Sequence, residues 1–401
     1  MMQKKMILES IESLYQWVKD QDYYGWDPYD ALNSVLIPKL CLSSPNLEIL
    51  ATQLNKYSIV NFRPLLKIEK GIDVKGMALF AQAYSKMYTL TNDEKYKLDL
   101  LNCMLFLKEK SLVSVYGRNC WAGHYYNYRS ADKSILSPNI PDVITTSNVI
   151  KAAVESYTIL KRDDLIEMAK DGYEFLINFL LDKSQDGQLY LKYNPLSDDK
   201  IVINASAEGL HAICKLMHLF DDKNLKETSY NLAEFLIKTQ DMDGSWIYSK
   251  YNSGKVRVQL DFHQGFIIDS LLEYLPFATS NQRDRVISSI QNGSKFYKEK
   301  QFFQDGRCHF RYPREYPIDI HNQAQGIITF SKFTPFNNEF SDFSTQIVLW
   351  TILHMQDSAG YFYYQKYRFF QNKIPHMRWG QAWMMLALAT YLEKCEFVLY
   401  D

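Results

Sequence analysis

The stretch "QDMDGSWIYSKY", residues 240–251, decides the fold because its pattern recurs along the chain. The other copies are "SQDGQLYLKY" (184–193), "FQDGRCHFRY" (303–312) and "QDSAGYFYYQKY" (356–367), with "YGRNCWAGHYYNY" (116–128) a looser fifth. Each begins with a polar turn that closes on Gly, a residue free to adopt positive φ. Alternating aromatics follow, and that period of two predicts a short strand or extended loop.

Outward from each copy comes a polar cluster and then an apolar run with helical spacing, such as "HQGFIIDSLLEYL" (263–275) or "RWGQAWMMLALATYL" (378–392). Aligning the clusters matches Ser147, Asn204, Asp261, Asp319 and Arg378, which fall 57 to 59 residues apart. Between these runs lie second patterns, "DLIEMAKDGYEFLINFLL" (164–181) and "NLKETSYNLAEFLIKTQ" (224–240). Their apolar residues recur at i, i+3, i+4 and i+7, as in helices with one solvated face. Each unit therefore reads as an outer amphipathic helix, an aromatic loop and an inner helix. Six units predict an all-α (α/α)6 toroid: about twelve helices in two concentric rings, in one domain over 1–401. An open α-solenoid uses the same units without closing and ranks second. "GWDPYDALNSVL" (25–36) reads as another inner-helix start, with Asp27 as cap and Pro28 at the first helical position.

Of the 401 residues, 47% are hydrophobic and 23% charged, with a formal net charge of −1. Lys and Arg are spread rather than blocked, which speaks against a nucleic-acid footprint and against a polybasic membrane patch. The six cysteines are widely spaced and read as reduced thiols of a cytoplasmic protein. No signal-peptide pattern and no membrane-spanning apolar run is read. Aromatics reach 15%, a composition suited to half-polar cleft walls as well as to packing.

With these hairpins and Gln-Asp-x-x-Gly-aromatic turns, the chain resembles the six-hairpin toroid superfamily. That group holds terpene cyclases and prenyltransferase β subunits, and also glycoside hydrolases, polysaccharide lyases and sugar epimerases. "YYGWDPYDALNS" (23–34), "YPIDIHNQAQGI" (316–327) and "RWGQAWMMLALATYL" together resemble uncharacterised bacterial proteins of surface-polysaccharide (capsule or exopolysaccharide) biosynthesis. The resemblance implies a toroid acting on a poly- or oligosaccharide. The chain departs from the squalene-type cyclases in lacking their Asp-x-Asp-Asp acid.

In a closed toroid the inner-helix N-termini gather at one mouth, which suits an anionic or polyhydroxylated ligand. Asp261-Phe262-His263 and Asp319-Ile320-His321 are matching Asp-x-His triplets in neighbouring units. With Arg378 they form the candidate catalytic set. As carboxylates on adjacent helices, Asp261 and Asp319 suit acid and base roles in inverting hydrolysis. Alternatively, Arg378 neutralises a uronate while His263 or His321 removes the α-proton, giving elimination or epimerisation. The residues alone leave both routes open. Candidate substrate-binding residues are Asp27, Tyr29, Trp121, His124, Asn148, Asn204, Trp246, Gln264, Asn322 and Trp379. Each has a plainer reading as cap or core, and for the three tryptophans packing is the more frequent role. No cofactor and no metal is expected: Cys308 and His309 alternate on an extended stretch and point apart. A terpene or prenyl enzyme, and a toroid that only binds a glycan or a partner, are the competing readings.

Overall fold

The computed structural model describes residues 2–130, 133, 135–197, 199–333 and 338–395. From the N-terminus the chain runs through α1 (Met2–Asp20), the short α2 (Ile37–Leu40) and α3 (Pro45–Tyr57). It then alternates between two rings. Inner α4 (Val74–Thr91) leads to outer α5 (Glu94–Glu109) and the single turn α6 (Val113–Tyr116). Inner α7 (Val143–Leu160) and α9 (Ile203–Met217) alternate with outer α8 (Asp163–Phe175) and α10 (Lys223–Lys238). Inner α11 (His263–Tyr274), outer α12 (Ser280–Gln301), inner α13 (Ile320–Lys332), outer α14 (Asn338–Met355) and inner α15 (Trp383–Cys395) complete the series.

The inner helices pack in the order α4, α7, α9, α11, α13, α15 and back to α4, so the ring is closed. The first helix belongs to the last unit, because α1 packs on α14 and α15. This is the predicted (α/α)6 toroid. Inner helices are buried almost all round, as their scarcity of charge requires. The charges they carry pair between neighbours: Lys151 with Glu208, Lys215 with Glu273, Lys332 with Asp269 and Lys86 with Glu393.

The repeated turn has a physical explanation. Its glycine has positive φ in all four copies, at Gly187, Gly244, Gly306 and Gly360. In the last three it is also pressed against the next outer helix. A Cβ on Gly244 would lie 2.4 Å from Asn292 O, and one on Gly360 would lie 2.3 Å from Ser13 O. The repeat's glutamine ties the same joint, for Gln356 Nε2 donates to both Gly360 O and Ser10 O. The aromatic stretch then pairs antiparallel with the segment ahead of the preceding inner helix. Ser249–Tyr251 pairs with Lys200–Val202, and Gln365–Lys366 with Ile318–Asp319.

One expectation fails. "GWDPYDALNSVL" starts no inner helix; only Asp30–Asn33 forms a 3-10 turn, and Asp27 caps nothing. Its carboxylate is drawn instead to Arg378 and Tyr126. The first inner helix begins at Val74, and Asp73 caps it by accepting from Gly76 N. Residues between α1 and α4 form an excursion carrying α2 and α3 over the mouth, pinned by buried Arg63 against Asp30 at 3.0 Å.

Candidate functional site

The mouth opens on a cavity of about 400 Å³ lined by the inner-helix N-termini, the aromatic loops and α3. All five candidate catalytic residues line it: Asp261, His263, Asp319, His321 and Arg378. Of the candidate binding residues, Tyr29, His124, Asn204, Asn322 and Trp379 line it as well.

His321 is set by its neighbours. Asp319 caps α13 by accepting from His321 N at 3.0 Å, and this fixes the start of the helix. The imidazole is 2% exposed, stacked on Phe262 with centroids 4.1 Å apart and on Trp383 at 4.7 Å. Neither ring nitrogen has a hydrogen-bond partner among the described residues. Burial, reinforced by the charges of Lys75 and Arg378, holds its pKa well below the ordinary value, so the ring is neutral at pH 7.

His263 is held differently. Its Nδ1 lies 2.5 Å from Asp261 Oδ1, so the carboxylate orients the ring and leaves Nε2 on the far side from it. Asp261 Oδ2 accepts from Gln259 Nε2, which sits beside Arg257. Burial alone would raise the Asp261 carboxyl, but His263 and Arg311 outweigh it and keep it below the usual range. Asp261 Oδ1 also accepts, at a longer 3.3 Å, from His263 N at the start of α11, whose N-cap residue is Phe262. Phe262 stands between the two triplets, its ring also 4.2 Å from that of His263.

The two carboxylates are committed to other groups. Asp319 Oδ1 accepts from Trp379 Nε1 as well as His321 N, and Oδ2 accepts from Gln365 Nε2. Burial raises its pKa against these donors.

The floor is cationic. Arg378 lies on a π-helical turn (Met377–Ala382) ahead of α15 and reaches Asp27 at 2.6 Å and Asp73 at 3.3 Å. Burial pushes the Asp27 carboxyl up, but Arg378 overrides it and holds the group below its ordinary value. Lys75, in the first turn of α4, packs its ammonium 5.3 Å from the ring of Trp383. Burial and the nearby Arg378 bring its pKa down to about 8. Lys56 of α3 donates to Tyr29 Oη at 2.6 Å, and burial lowers its pKa too.

Several candidates prove to be framework. Trp121 and Trp246 are fully buried, and their indole N–H groups donate to Leu107 O and Leu236 O, so they are core, not sugar platforms. Gln264 clamps the backbone of Trp246 through both amide atoms. Gln381 makes the same clamp on Phe362, and Gln323 a looser one, accepting from Cys308 N and donating to Gly306 O. Asn322 touches the cavity, yet its amide bonds Phe262 N, His309 O and Phe310 O. Asn148 lies beneath the cavity, between Ile144 O and Glu208. Asp27 acts from behind Arg378 rather than from the cavity wall. Asn204 differs, since its buried Oδ1 has no partner in the protein.

Sequence reasoning passed over Lys75, Lys56 and Asp142, the true cap of α7, which lies ahead of the aligned Ser147. Lys75 carried a signal: a cation in the first turn opposes the helix dipole and calls for a reason.

No protein-family model matches the chain, and no curated protein matches it in sequence. Solved structures do match in fold. A cellobiose 2-epimerase from Bacillus thermoamylovorans superposes with a TM-score of 0.64 at 14% identity, covering 82% of this chain and 90% of that one. An unsaturated glucuronyl hydrolase from a Bacillus species gives 0.65 at 10% identity over 97% and 96%. A family 76 glycoside hydrolase from Bacteroides thetaiotaomicron gives 0.66 at 12% over 97% and 78%.

Proposed function

We propose that the protein is a carbohydrate-active enzyme that moves a carbon-bound proton of an acidic poly- or oligosaccharide. The observation that carries this reading is His321, a neutral, buried imidazole with both nitrogens unpartnered, facing the same cavity as an Asp-oriented His263. A neutral imidazole near pH 7 is suited to general-base work. One imidazole takes the proton α to a carbonyl or carboxyl, and the electron pair passes into an enediolate. Return of a proton on the opposite face gives an epimer. Loss of a β-substituent instead gives an unsaturated sugar. Arg378, Lys75 and Arg311 supply positive charge for the acid group and for the developing oxyanion.

The fold neighbours support a sugar as substrate: by their names one is a cellobiose 2-epimerase and others are sugar hydrolases. Polysaccharide metabolism is the setting that fits this substrate class. The raised Asp319 carboxyl favours a second reading, acid-assisted hydrolysis of a glycosidic bond.

One experiment separates the two. The protein is incubated with neutral and uronate oligosaccharides in D2O, and the products are read by NMR and mass spectrometry. Deuterium at a single sugar carbon supports proton transfer. New reducing ends without deuterium at carbon would replace it with hydrolysis.

A further inference from the structure

Twelve of the 29 exposed large hydrophobic side chains among the described residues fall within residues 35–65, a density that rules out random scatter. They lie on the α2–α3 excursion. On α3, Leu47, Leu50 and Leu54 are exposed at spacings of three and four, so they form one stripe. On α2, which packs against α3, Leu40 is 73% exposed, and Leu42 just beyond it is 82% exposed. A second segment joins them, for Asn372 Nδ2 donates to Ser58 O at 2.9 Å. That brings in the hairpin with Phe369, which is 87% exposed. Apolar surface of this extent marks an interaction site.

Charge identifies the occupant. Between residues 31 and 68 the only carboxylate is Glu48, which is half-buried and paired with Arg129. Between 365 and 376 there is none. Lys39, Lys67 and Arg368 are exposed on these segments. Protruding leucines and a phenylalanine, on segments that carry exposed cations and whose nearest exposed carboxylate is Glu69 at their edge, match the interface of an anionic bilayer. No described helix is long and apolar enough to cross one.

We infer that the α2–α3 excursion docks the protein on the surface of an anionic lipid bilayer. The leucines enter the headgroup–acyl boundary and the cations meet lipid phosphates. An adjoining face of α3 gives Ile49, Gln53 and Lys56 to the cavity, and Tyr57 lies at the boundary of the two, so docking brings the bilayer beside the mouth. The reaction proposed above is not needed for this.

Co-sedimentation of the full chain with vesicles tests it, using phosphatidylcholine alone and an equal mixture with phosphatidylglycerol. Binding is expected to the mixed vesicles only, and to weaken with salt. Substituting Leu40→Ser, Leu42→Ser and Leu54→Ser together is expected to cut partitioning at least about tenfold, since each leucine withdrawn from lipid costs roughly that factor or more. An unchanged unfolding midpoint would show that this variant is folded. Leu353→Ser, at an exposed site on α14, is the control expected to leave binding intact. If the triple variant misfolds, Lys39→Gln with Lys67→Gln must still weaken binding at low salt. Absence of vesicle binding, or binding untouched by these changes, overturns the inference. A concentration-dependent dimer that the triple variant abolishes also overturns it, assigning the face to a second copy.

Discussion

Arg378 and Asp27 meet across 351 positions of sequence, the guanidinium Nε donating to the carboxylate Oδ2 at 2.8 Å under the floor of the cavity. Both are nearly inaccessible, and Asp73 shares the same guanidinium. A cation buried among carboxylates is held by their charge, and they by its charge.

Removing one partner therefore leaves the others uncompensated. Arg378→Met is expected to destabilise the fold by about 3–5 kcal/mol, read as a shift of the urea midpoint. The pair also sets a direction with pH. Asp27 titrates below its ordinary 3.8 when folded, so its contribution is complete above that value and is lost as pH falls through the folded pKa.

Asp261→Asn removes the negative charge that orients His263 but keeps the side chain's shape. Solvent deuterium uptake is expected to slow by about 10²–10⁴-fold, with a melting temperature close to the parent's. His321→Phe preserves the ring stack with Phe262 and Trp383 and is expected to stop the same exchange. Undiminished uptake in His321→Phe would remove that ring from the chemistry.

Three buried histidines, His211, His321 and His376, are held neutral, in each case chiefly by burial. Below about 6.5 the unfolded chain gains protons that the folded chain refuses. Stability is therefore expected to decline as pH falls below that point. Denaturation midpoints between pH 7.5 and roughly 5 would register the slope, and His376→Phe should flatten it.

Lys75 titrates at about 8 rather than 10.5. Between those values the unfolded chain binds the additional proton, so this group makes stability rise with pH across the window. Ligand binding runs the other way: an acidic sugar is expected to bind more weakly as pH passes 8 and the ammonium loses its charge. Calorimetric titration from pH 7 to 9 would follow this, and Lys75→Arg should erase the dependence.

The architecture was legible because each unit repeats its own constraints. Gly244 and Gly360 must turn left-handed against an outer helix, and Gln264 and Gln381 must clamp an extended loop, so the same letters recur at a steady period. The site was only half legible for the same reason. Gln264, Asn322, Trp121 and Trp246 carry the polarity or aromaticity of ligand-binding residues, yet their partners are backbone atoms of loops and outer helices that periodicity does not reveal. Asp27 misled in another way. Asp-Pro is a helix-start signal, but the ion pair with Arg378 outweighed that local preference. Lys56 was out of reach, since its place over the mouth depends on an excursion that breaks the repeat.

The seating of α1 against α14 and α15 bears on how the molecule is made. Its apolar face, Ile7, Ile11, Leu14 and Val18, is almost wholly covered in the finished ring, and Ser10 bonds Gln356. On the ribosome that face emerges more than 300 residues ahead of its partners on α14 and α15. At about 5–20 residues per second, the gap is roughly 20 to 70 seconds. For that interval the growing chain is an open arc with a greasy leading helix, and the cavity does not exist until translation has passed Arg378.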